Sequence, residues 1–346
     1  MALAAAVAMH GALVPANDPA FRYSGRIDDR HPEVPVIVWE STRVAADFRG
    51  PDLTLRFGPA AGQNFFNLAV DGTVDVIAVR AGAASALAYG HPLSSGLHHL
   101  VLVKRSEAAA GSAAFVGIEV RDAPSVRLPA AGPSGPRFQF FGDSITAGAC
   151  NEDGPADQWE DRRTHDAEQS YAALTAREFG ADYRIMAVSG IGIVTGYVPP
   201  TFGQVWDRLY PEAASPAADL AAWKPDVIFF NLGENDASFS AKQGRPFPSD
   251  FAARYQDLVR RVRAAYPGDH FVLLRGGMGE GATNADLIRA WTTAMQMIEA
   301  ADPAVSHFTF AHWSKQHPRV ADDRAMAAEL TSWLRRQPFA AQPRRP

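Results

Sequence analysis

The sequence predicts two domains of different class: an all-β domain of the jelly-roll or sandwich type, then an α/β domain with a parallel sheet covered by helices. Three observations support this prediction. The 346 residues exceed what one hydrophobic core usually organises. Short β-rich segments follow one another without an intervening helix up to about residue 130. Beyond a stretch rich in Pro, Gly and Ala, strongly apolar segments alternate with helical ones.

The all-β domain is expected over residues 18–130. The segment "LAVDGTVDVIAV" predicts a tight hairpin, because Asp71-Gly72 separates two apolar runs and both turn residues tolerate positive φ. Apolar or alternating segments separated by turn residues predict the other strands: "PVIVWES", "DLTLRFG", "HHLVLVKR" and "AAFVGIEV".

The ends of the chain and the domain junction have a different composition. Residues 1–17 resemble a degenerate signal peptide without a positive first segment, so we interpret them as a signal remnant or a disordered N-terminus. This slightly favours a secreted or periplasmic location over a cytoplasmic one. Residues 131–136 are expected to be a linker, and residues 339–346 a tail.

Composition excludes several functions. The net charge is −5 and the basic residues are scattered, so no nucleic-acid partner is expected. No apolar segment approaches the roughly 20 residues that span a bilayer, so no membrane partner is expected either. Cys150 is the single cysteine, which rules out an intramolecular disulfide, and the ten histidines show no ligand spacing. We therefore expect no metal and no cofactor.

The α/β domain is expected over residues 137–338. Helical spacing of apolar residues predicts one helix that begins after Ser249-Asp250 and a second through Leu287 and Trp291. Ligands of such sheets bind beyond the carboxyl ends of the strands, which lie at one edge. The expected buried strands are "RFQFFG", "YRIMAVSG", "DVIFFNLG", "HFVLLRGG" and "SHFTFAH".

Residues suited to acyl transfer follow these strands. Ser144 follows the first strand as a candidate nucleophile, and His317 follows the last as a candidate base. Gly190 and Asn235 follow the second and third strands and are candidate donors to an oxyanion, together with the N–H of Ser144. Each of these residues also has an alternative structural role. Ser144 is then a helix N-cap and His317 part of a helix entry, while Gly190 is a turn glycine and Asn235 braces a loop.

The segments "FGDSITAG", "SGIG", "LGENDAS" and "HPRVADDRAMAAEL" resemble the blocks of the SGNH (GDSL-type) hydrolases. The resemblance implies that Ser144, Gly190, Asn235 and His317 are the four functional residues, with Ser144, Gly190 and Asn235 forming the oxyanion hole. Gly192 is an alternative to Gly190. The segments "YSGRIDD", "VWESTRVAADFRG", "LVLVKRSEA" and "FVGIEV" extend the resemblance to carbohydrate esterase family two, whose members join a β-sandwich to an SGNH domain and deacetylate plant polysaccharides.

One position departs from the SGNH pattern. Ser314 stands where most of these enzymes carry the acid that orients the histidine, and Lys315 follows it. Dyads occur in the closer family, so the resemblance implies a Ser144–His317 dyad, with a backbone carbonyl of residues 313–316 holding the Nδ1 proton of His317.

Four further residues are assigned to the surroundings of the site. Tyr197 and Trp313 follow the second and last strands, so they either contact a sugar ring or serve packing. Asp143 is expected to bond to neighbouring backbone and shape the site, and Asp236 to support the loop of Asn235.

The leading hypothesis is a serine esterase that removes O-acetyl groups from xylan or glucomannan through an acetyl-Ser144 intermediate. An esterase for other small acyl esters or lipids is a second hypothesis, because one fold serves many substrates. A carbohydrate-binding protein with little or no catalysis is a third, from a different class. The acetylated carbohydrate is the expected partner.

Overall fold

The computed structural model describes residues 11–130 and 132–340. Its N-terminal part consists of strands and short turns, so the all-β prediction is confirmed, while the specific jelly-roll topology stays a prediction. The strands are β1 (Ala12–Pro15), β2 (Arg22–Ser24), β3 (Ile27–Asp28), β4 (Val36–Ile37), β5 (Arg43–Arg49), β6 (Thr54–Val70), β7 (Thr73–Gly82), β8 (Ser85–Ala88), β9 (Leu97–Lys104) and β10 (Gly111–Val120).

The long strand β6 organises this domain. Its first residues pair with β8 and β10, and its last residues pair with β7 and β9. The β6–β7 turn is formed by Asp71 and Gly72, both with positive φ, as the sequence predicts. The strands enclose an apolar cluster that includes Phe48, Phe66 and Phe115.

The expected N-terminal segment, residues 1–17, includes strand β1. Residues 12–15 form this strand and pair antiparallel with β10. Residues 1–10 of that expected segment lie outside the described residues, as do residue 131 of the expected linker and residues 341–346 of the expected tail.

The C-terminal part is the expected α/β domain, with a five-stranded parallel sheet in the order β12-β11-β13-β14-β15. Its strands are β11 (Arg137–Gly142), β12 (Asp182–Ala187), β13 (Val227–Asn231), β14 (His270–Arg275) and β15 (Val305–Thr309). Its helices are α1 (Ser144–Ala147), α2 (Tyr171–Glu178), α3 (Phe202–Val205), α4 (Glu234–Lys242), α5 (Phe251–Ala265), α6 (Gly279–Thr283), α7 (Ala285–Ala301) and α8 (Val320–Leu334).

Helices cover both faces of this sheet, which explains its continuous apolar strands. Successive residues of β11 face opposite sides: Phe140 packs in the cluster of α2 and α8, and Phe141 in the cluster of α3, α5 and α7. Phe140 stacks on Phe229 of β13 with ring centroids 4.4 Å apart. Within the described residues, no helix combines the length and apolarity that crossing a bilayer requires.

The two domains pack directly on each other. Trp39 is buried and donates its indole N–H to the carbonyl of Leu209 at 2.8 Å. Arg43 of β5 forms a 2.7 Å ion pair with Glu168 of the α/β domain. The β-domain therefore covers one side of the α/β domain.

Candidate active site

Ser144 lies where β11 turns sharply into α1. Gly142 permits this turn, since a Cβ there would lie 2.1 Å from the Thr146 hydroxyl oxygen. Asp143 is the helix N-cap and accepts the N–H of Ile145 at 3.1 Å. The capping role is thus taken by Asp143, and the hydroxyl of Ser144 remains available for another partner.

That partner is His317. The Ser144 hydroxyl oxygen lies 2.8 Å from Nε2 of His317, although the two residues are 173 positions apart. This distance allows the imidazole to accept the serine proton. The structure therefore brings together the two residues that the sequence analysis assigns to nucleophile and base.

The Nδ1 side of His317 differs from the prediction. Asp157 Oδ2 lies 2.7 Å from Nδ1 and 3.3 Å from the His317 backbone N–H. The predicted dyad with a backbone carbonyl of residues 313–316 is therefore wrong for this structure. Ser314 contacts the Gln316 carbonyl, and an acid from the distant loop between α1 and α2 orients the histidine.

Asp157 is held as a carboxylate. Burial favours its neutral form, but hydrogen bonds from His317 and Arg319 outweigh it and lower the pKa of Asp157 to about 2. Arg319 Nη1 lies 2.8 Å from Asp157 Oδ1, the oxygen that faces away from His317. The carboxylate can therefore stabilise a charged imidazole at neutral pH.

Gly190 and Asn235 line the same cavity as Ser144 and His317. Gly190 has φ near +81°, and its carbonyl accepts the N–H of Tyr197 at 2.7 Å. The alternative, Gly192, packs against the Thr195 carbonyl, which a Cβ would approach to 1.8 Å. The Asn235 amide donates to the Ile191 carbonyl at 2.9 Å and to Asp143 at 3.2 Å.

Two buried carboxyl groups hold these elements. Asp236 accepts the backbone N–H groups of Ile193, Val194 and Thr195, so it supports the loop after β12 rather than the Asn235 loop itself. Burial raises its pKa to about 6, despite those bonds. Burial, and then the nearby Glu234, raises the pKa of Asp143 well above its usual range.

The cavity at the site has a volume of about 580 Å³. Tyr197 lines it and is 45% exposed, and its contact with a sugar ring stays a prediction. Trp313 is not among its lining residues, and lies instead beside the lining residue Gly279. Apart from Met278, the other lining side chains beside the catalytic and aromatic ones are polar or charged: Arg162, Ser189, Glu234, Ser238, Lys242, Glu280 and Lys315.

The sequence analysis missed Asp157 and Trp159. Trp159 lines the cavity, and its ring packs edge-on against His317 with centroids 5.1 Å apart. Both lie in a loop without long helices or strands, among several other acids such as Asp153 and Asp161. No spacing singles out one of these acids, because His317 lies 160 residues further along the chain.

Two groups of side chains near the site have ligand atoms within 4.8 Å of one another: Cys150 with Asp153 and His165, and Cys150 with Asp157 and His317. Burial raises the pKa of the Cys150 thiol, which keeps it protonated and a poor metal ligand. The thiol donates to the Gln158 carbonyl at 3.5 Å.

Both domains match known protein families. Residues 23–129 match the family described as "Carbohydrate esterase 2 N-terminal", and residues 140–332 match the "GDSL-like Lipase/Acylhydrolase family". The chain is 28% identical over 319 residues to an acetylxylan esterase / glucomannan deacetylase of Cellvibrio japonicus, covering 86% of this chain and 85% of that protein.

The matches to two further relatives cover 92% and 91% of this chain. The chain is 30% identical over 332 residues to the cellulase/esterase CelE of Acetivibrio thermocellus, covering 92% of this chain but spanning only 40% of CelE. A family two carbohydrate esterase from Clostridium thermocellum, solved in complex with cellohexaose, is 30% identical with a TM-score of 0.80, covering 91% of this chain and 98% of that chain. The chain therefore belongs to the GDSL-like lipase/acylhydrolases and, within them, to the family 2 carbohydrate esterases, a group of carboxylic ester hydrolases.

Proposed function

We propose that this protein removes O-acetyl groups from plant-type polysaccharides or oligosaccharides such as xylan and glucomannan. The observation that carries the proposal is the chain of contacts from Ser144 through His317 to Asp157, which opens into a cavity large enough for a sugar ring. The Cellvibrio japonicus relative, named acetylxylan esterase / glucomannan deacetylase, supports the same substrate class.

The first half of the reaction acylates Ser144. Its oxygen attacks the acetyl carbonyl while Nε2 of His317 takes the hydroxyl proton. Asp157 holds the imidazole and stabilises the charge it gains. The tetrahedral oxyanion accepts hydrogen bonds from the backbone N–H groups of Ser144 and Gly190 and from the side-chain amide of Asn235. For this, the Asn235 amide gives up its long 3.2 Å hydrogen bond to Asp143.

Collapse of this tetrahedral adduct completes the acylation, and water then restores the enzyme. His317 gives its proton to the departing sugar oxygen, which leaves as a free hydroxyl group and leaves acetyl-Ser144 behind. Water then attacks the acetyl carbonyl while His317 takes its proton, and acetate departs as Ser144 recovers its hydrogen. Water is the only reactant besides the ester that these steps require.

Acetate release tests this proposal. Acetyl-xylan, acetyl-glucomannan and an acetylated monosaccharide are incubated with wild type, Ser144→Ala and the control Ser249→Ala, which removes an exposed hydroxyl before α5. Release by wild type and the control, and none by Ser144→Ala, supports the esterase. Equal release by wild type and Ser144→Ala contradicts the assignment of the nucleophile.

Glycan binding is the second candidate function. It is favoured by the relative solved in complex with cellohexaose and by the exposed ring of Tyr197 in the cavity. Calorimetric titration of cello- and xylo-oligosaccharides into wild type tests it in parallel. Binding without acetate release from any of the three esters would support this function in place of the esterase.

A further inference from the structure

Four consecutive polar residues, beginning with the last residue of β9, are almost completely buried at the domain junction. Lys104, Arg105, Ser106 and Glu107 are each at most 2% exposed. Charged side chains are almost never this buried unless they are paired. Their partners therefore show what this segment of the β-domain holds in place.

Glu107 reaches the oxyanion loop of the other domain. Its Oε2 accepts the backbone N–H of Ser189 at 2.9 Å, and Ser189 directly precedes Gly190. Glu40, also from the β-domain, accepts the N–H of Ala187 at 2.6 Å. Because β12 is an edge strand, its outward N–H groups need partners. Acidic side chains of the β-domain accept one such group at Ala187 and another at Ser189, two residues beyond the strand.

The second oxygen of the same carboxylate points to the loop that carries the triad acid. Glu107 Oε1 lies 3.4 Å from Arg162 Nη1. The Arg162 guanidinium lies over the Trp159 ring, 4.8 Å from its centroid, and Trp159 packs against His317. Gln63 of β6 also bonds to the backbone of this loop, at Glu160 and Arg162.

We propose that Glu107 is a positioning residue through which the β-domain sets both the Gly190 N–H and the loop of Asp157 and Trp159. The inference rests on the proposed esterase function and deepens it. Misplacing reacting or stabilising groups by about 1 Å can cost on the order of 10²-fold in rate. The β-domain is then part of the catalytic unit and not only an appended module.

Two substitutions separate the contacts of Glu107. Glu107→Ala removes both, and we expect kcat for 4-nitrophenyl acetate to fall about 10- to 100-fold with KM changed less than about 3-fold. In Glu107→Gln, the side-chain carbonyl still accepts from Ser189, but N–H groups then face Arg162. We expect a smaller fall of about 3- to 10-fold, and this variant keeps the shape of the buried side chain.

A tetrahedral inhibitor distinguishes positioning from simple loss of folded protein. Methylboronic acid forms a tetrahedral adduct on Ser144 whose oxygen needs the oxyanion donors. Its inhibition constant should rise in proportion to the loss in kcat/KM. Glu168→Gln is the matched control, because Glu168 also pairs across the junction with Arg43. Its other side-chain contacts include Ser41 and Tyr183, which lie outside the catalytic residues. This variant should lower the melting temperature and leave kcat within about two-fold.

The result that overturns the inference is unchanged kcat and unchanged boronate inhibition in both Glu107 variants, or changes that Glu168→Gln reproduces. Failure of the proposed function is recognised separately. A fluorophosphonate labels Ser144 without any acetyl substrate, and the rate of labelling depends on the same oxyanion-hole donors. If wild type is labelled yet releases no acetate, the esterase proposal fails. In that case, slower labelling of Glu107→Ala than of wild type still supports the positioning role of Glu107, and equal labelling refutes that role.

Discussion

Replacement of Asp157 by asparagine should disable the enzyme through the wrong tautomer of His317. Two neighbours determine how the new amide would lie. Arg319 Nη1 is 2.8 Å from Oδ1 in an ion pair, and its positive charge favours an oxygen over an NH₂ group at that position. The amide oxygen would therefore face Arg319, and the amide NH₂ would face Nδ1 of His317, where Oδ2 now lies at 2.7 Å.

An N–H donor facing Nδ1 forces the imidazole proton onto Nε2. His317 can then no longer accept the proton of Ser144, whose hydroxyl oxygen lies 2.8 Å away. The analogous substitution in a serine protease lowers kcat about 10⁴-fold with its geometry intact. We expect a loss in kcat/KM of about 10³- to 10⁴-fold, equivalent to about 4 to 5.5 kcal/mol of transition-state stabilisation.

The assay is steady-state hydrolysis of 4-nitrophenyl acetate and of acetylated xylo-oligosaccharide at neutral pH. Asp161→Asn is the matched control, because Asp161 lies in the same loop and caps the N–H of Arg163 without contacting His317. It should retain activity within about two-fold. If Asp157→Asn retains more than about one tenth of wild-type kcat/KM, the triad is refuted and a dyad becomes the better account.

Three more substitutions test other parts of the site. Asn235→Ala should lower kcat about 10²- to 10³-fold with little change in KM, measured on the same ester, and an unchanged kcat would remove Asn235 from the oxyanion hole. Tyr197→Ala should raise KM several-fold for acetylated oligosaccharide but not for 4-nitrophenyl acetate, and equal effects on both would indicate a packing role only. Glu234, whose pKa burial raises to about 7, keeps its proton in the folded chain between about pH 4.5 and pH 7 while the unfolded chain releases it. Because only the unfolded chain ionises there, the free energy of unfolding should fall by roughly 3 kcal/mol as pH rises across that range. Glu234→Gln should flatten this pH dependence in urea titrations, and an unchanged pH dependence would assign it to another group.

The sequence predicted the parts of the fold that local patterns determine. The hairpin at Asp71-Gly72 follows from turn chemistry, and the parallel sheet follows from apolar strands that alternate with helices. The positions of Ser144 and His317 follow from the rule that strand ends share one edge.

Features that depend on long-range packing escaped prediction. Asp157 meets His317 only because the loop between α1 and α2 folds back over the sheet edge, and Ser314, the expected position of an acid, faces the Gln316 carbonyl. Glu107 meets Ser189 across the domain junction. Neither contact has a local signal, since each pairs an ordinary acid in a loop with a group far away in sequence.

Partitioning of the acetyl group between water and methanol tests the acetyl-Ser144 intermediate most directly. Wild type is given 4-nitrophenyl acetate and acetylated xylo-oligosaccharide in the same methanol–water mixture, and methyl acetate and acetate are quantified. A common acetyl-enzyme predicts the same ratio of methyl acetate to acetate from both substrates, and no product from either with Ser144→Ala. A ratio that changes with the leaving group would contradict the intermediate, because water or methanol would then attack the bound substrate itself.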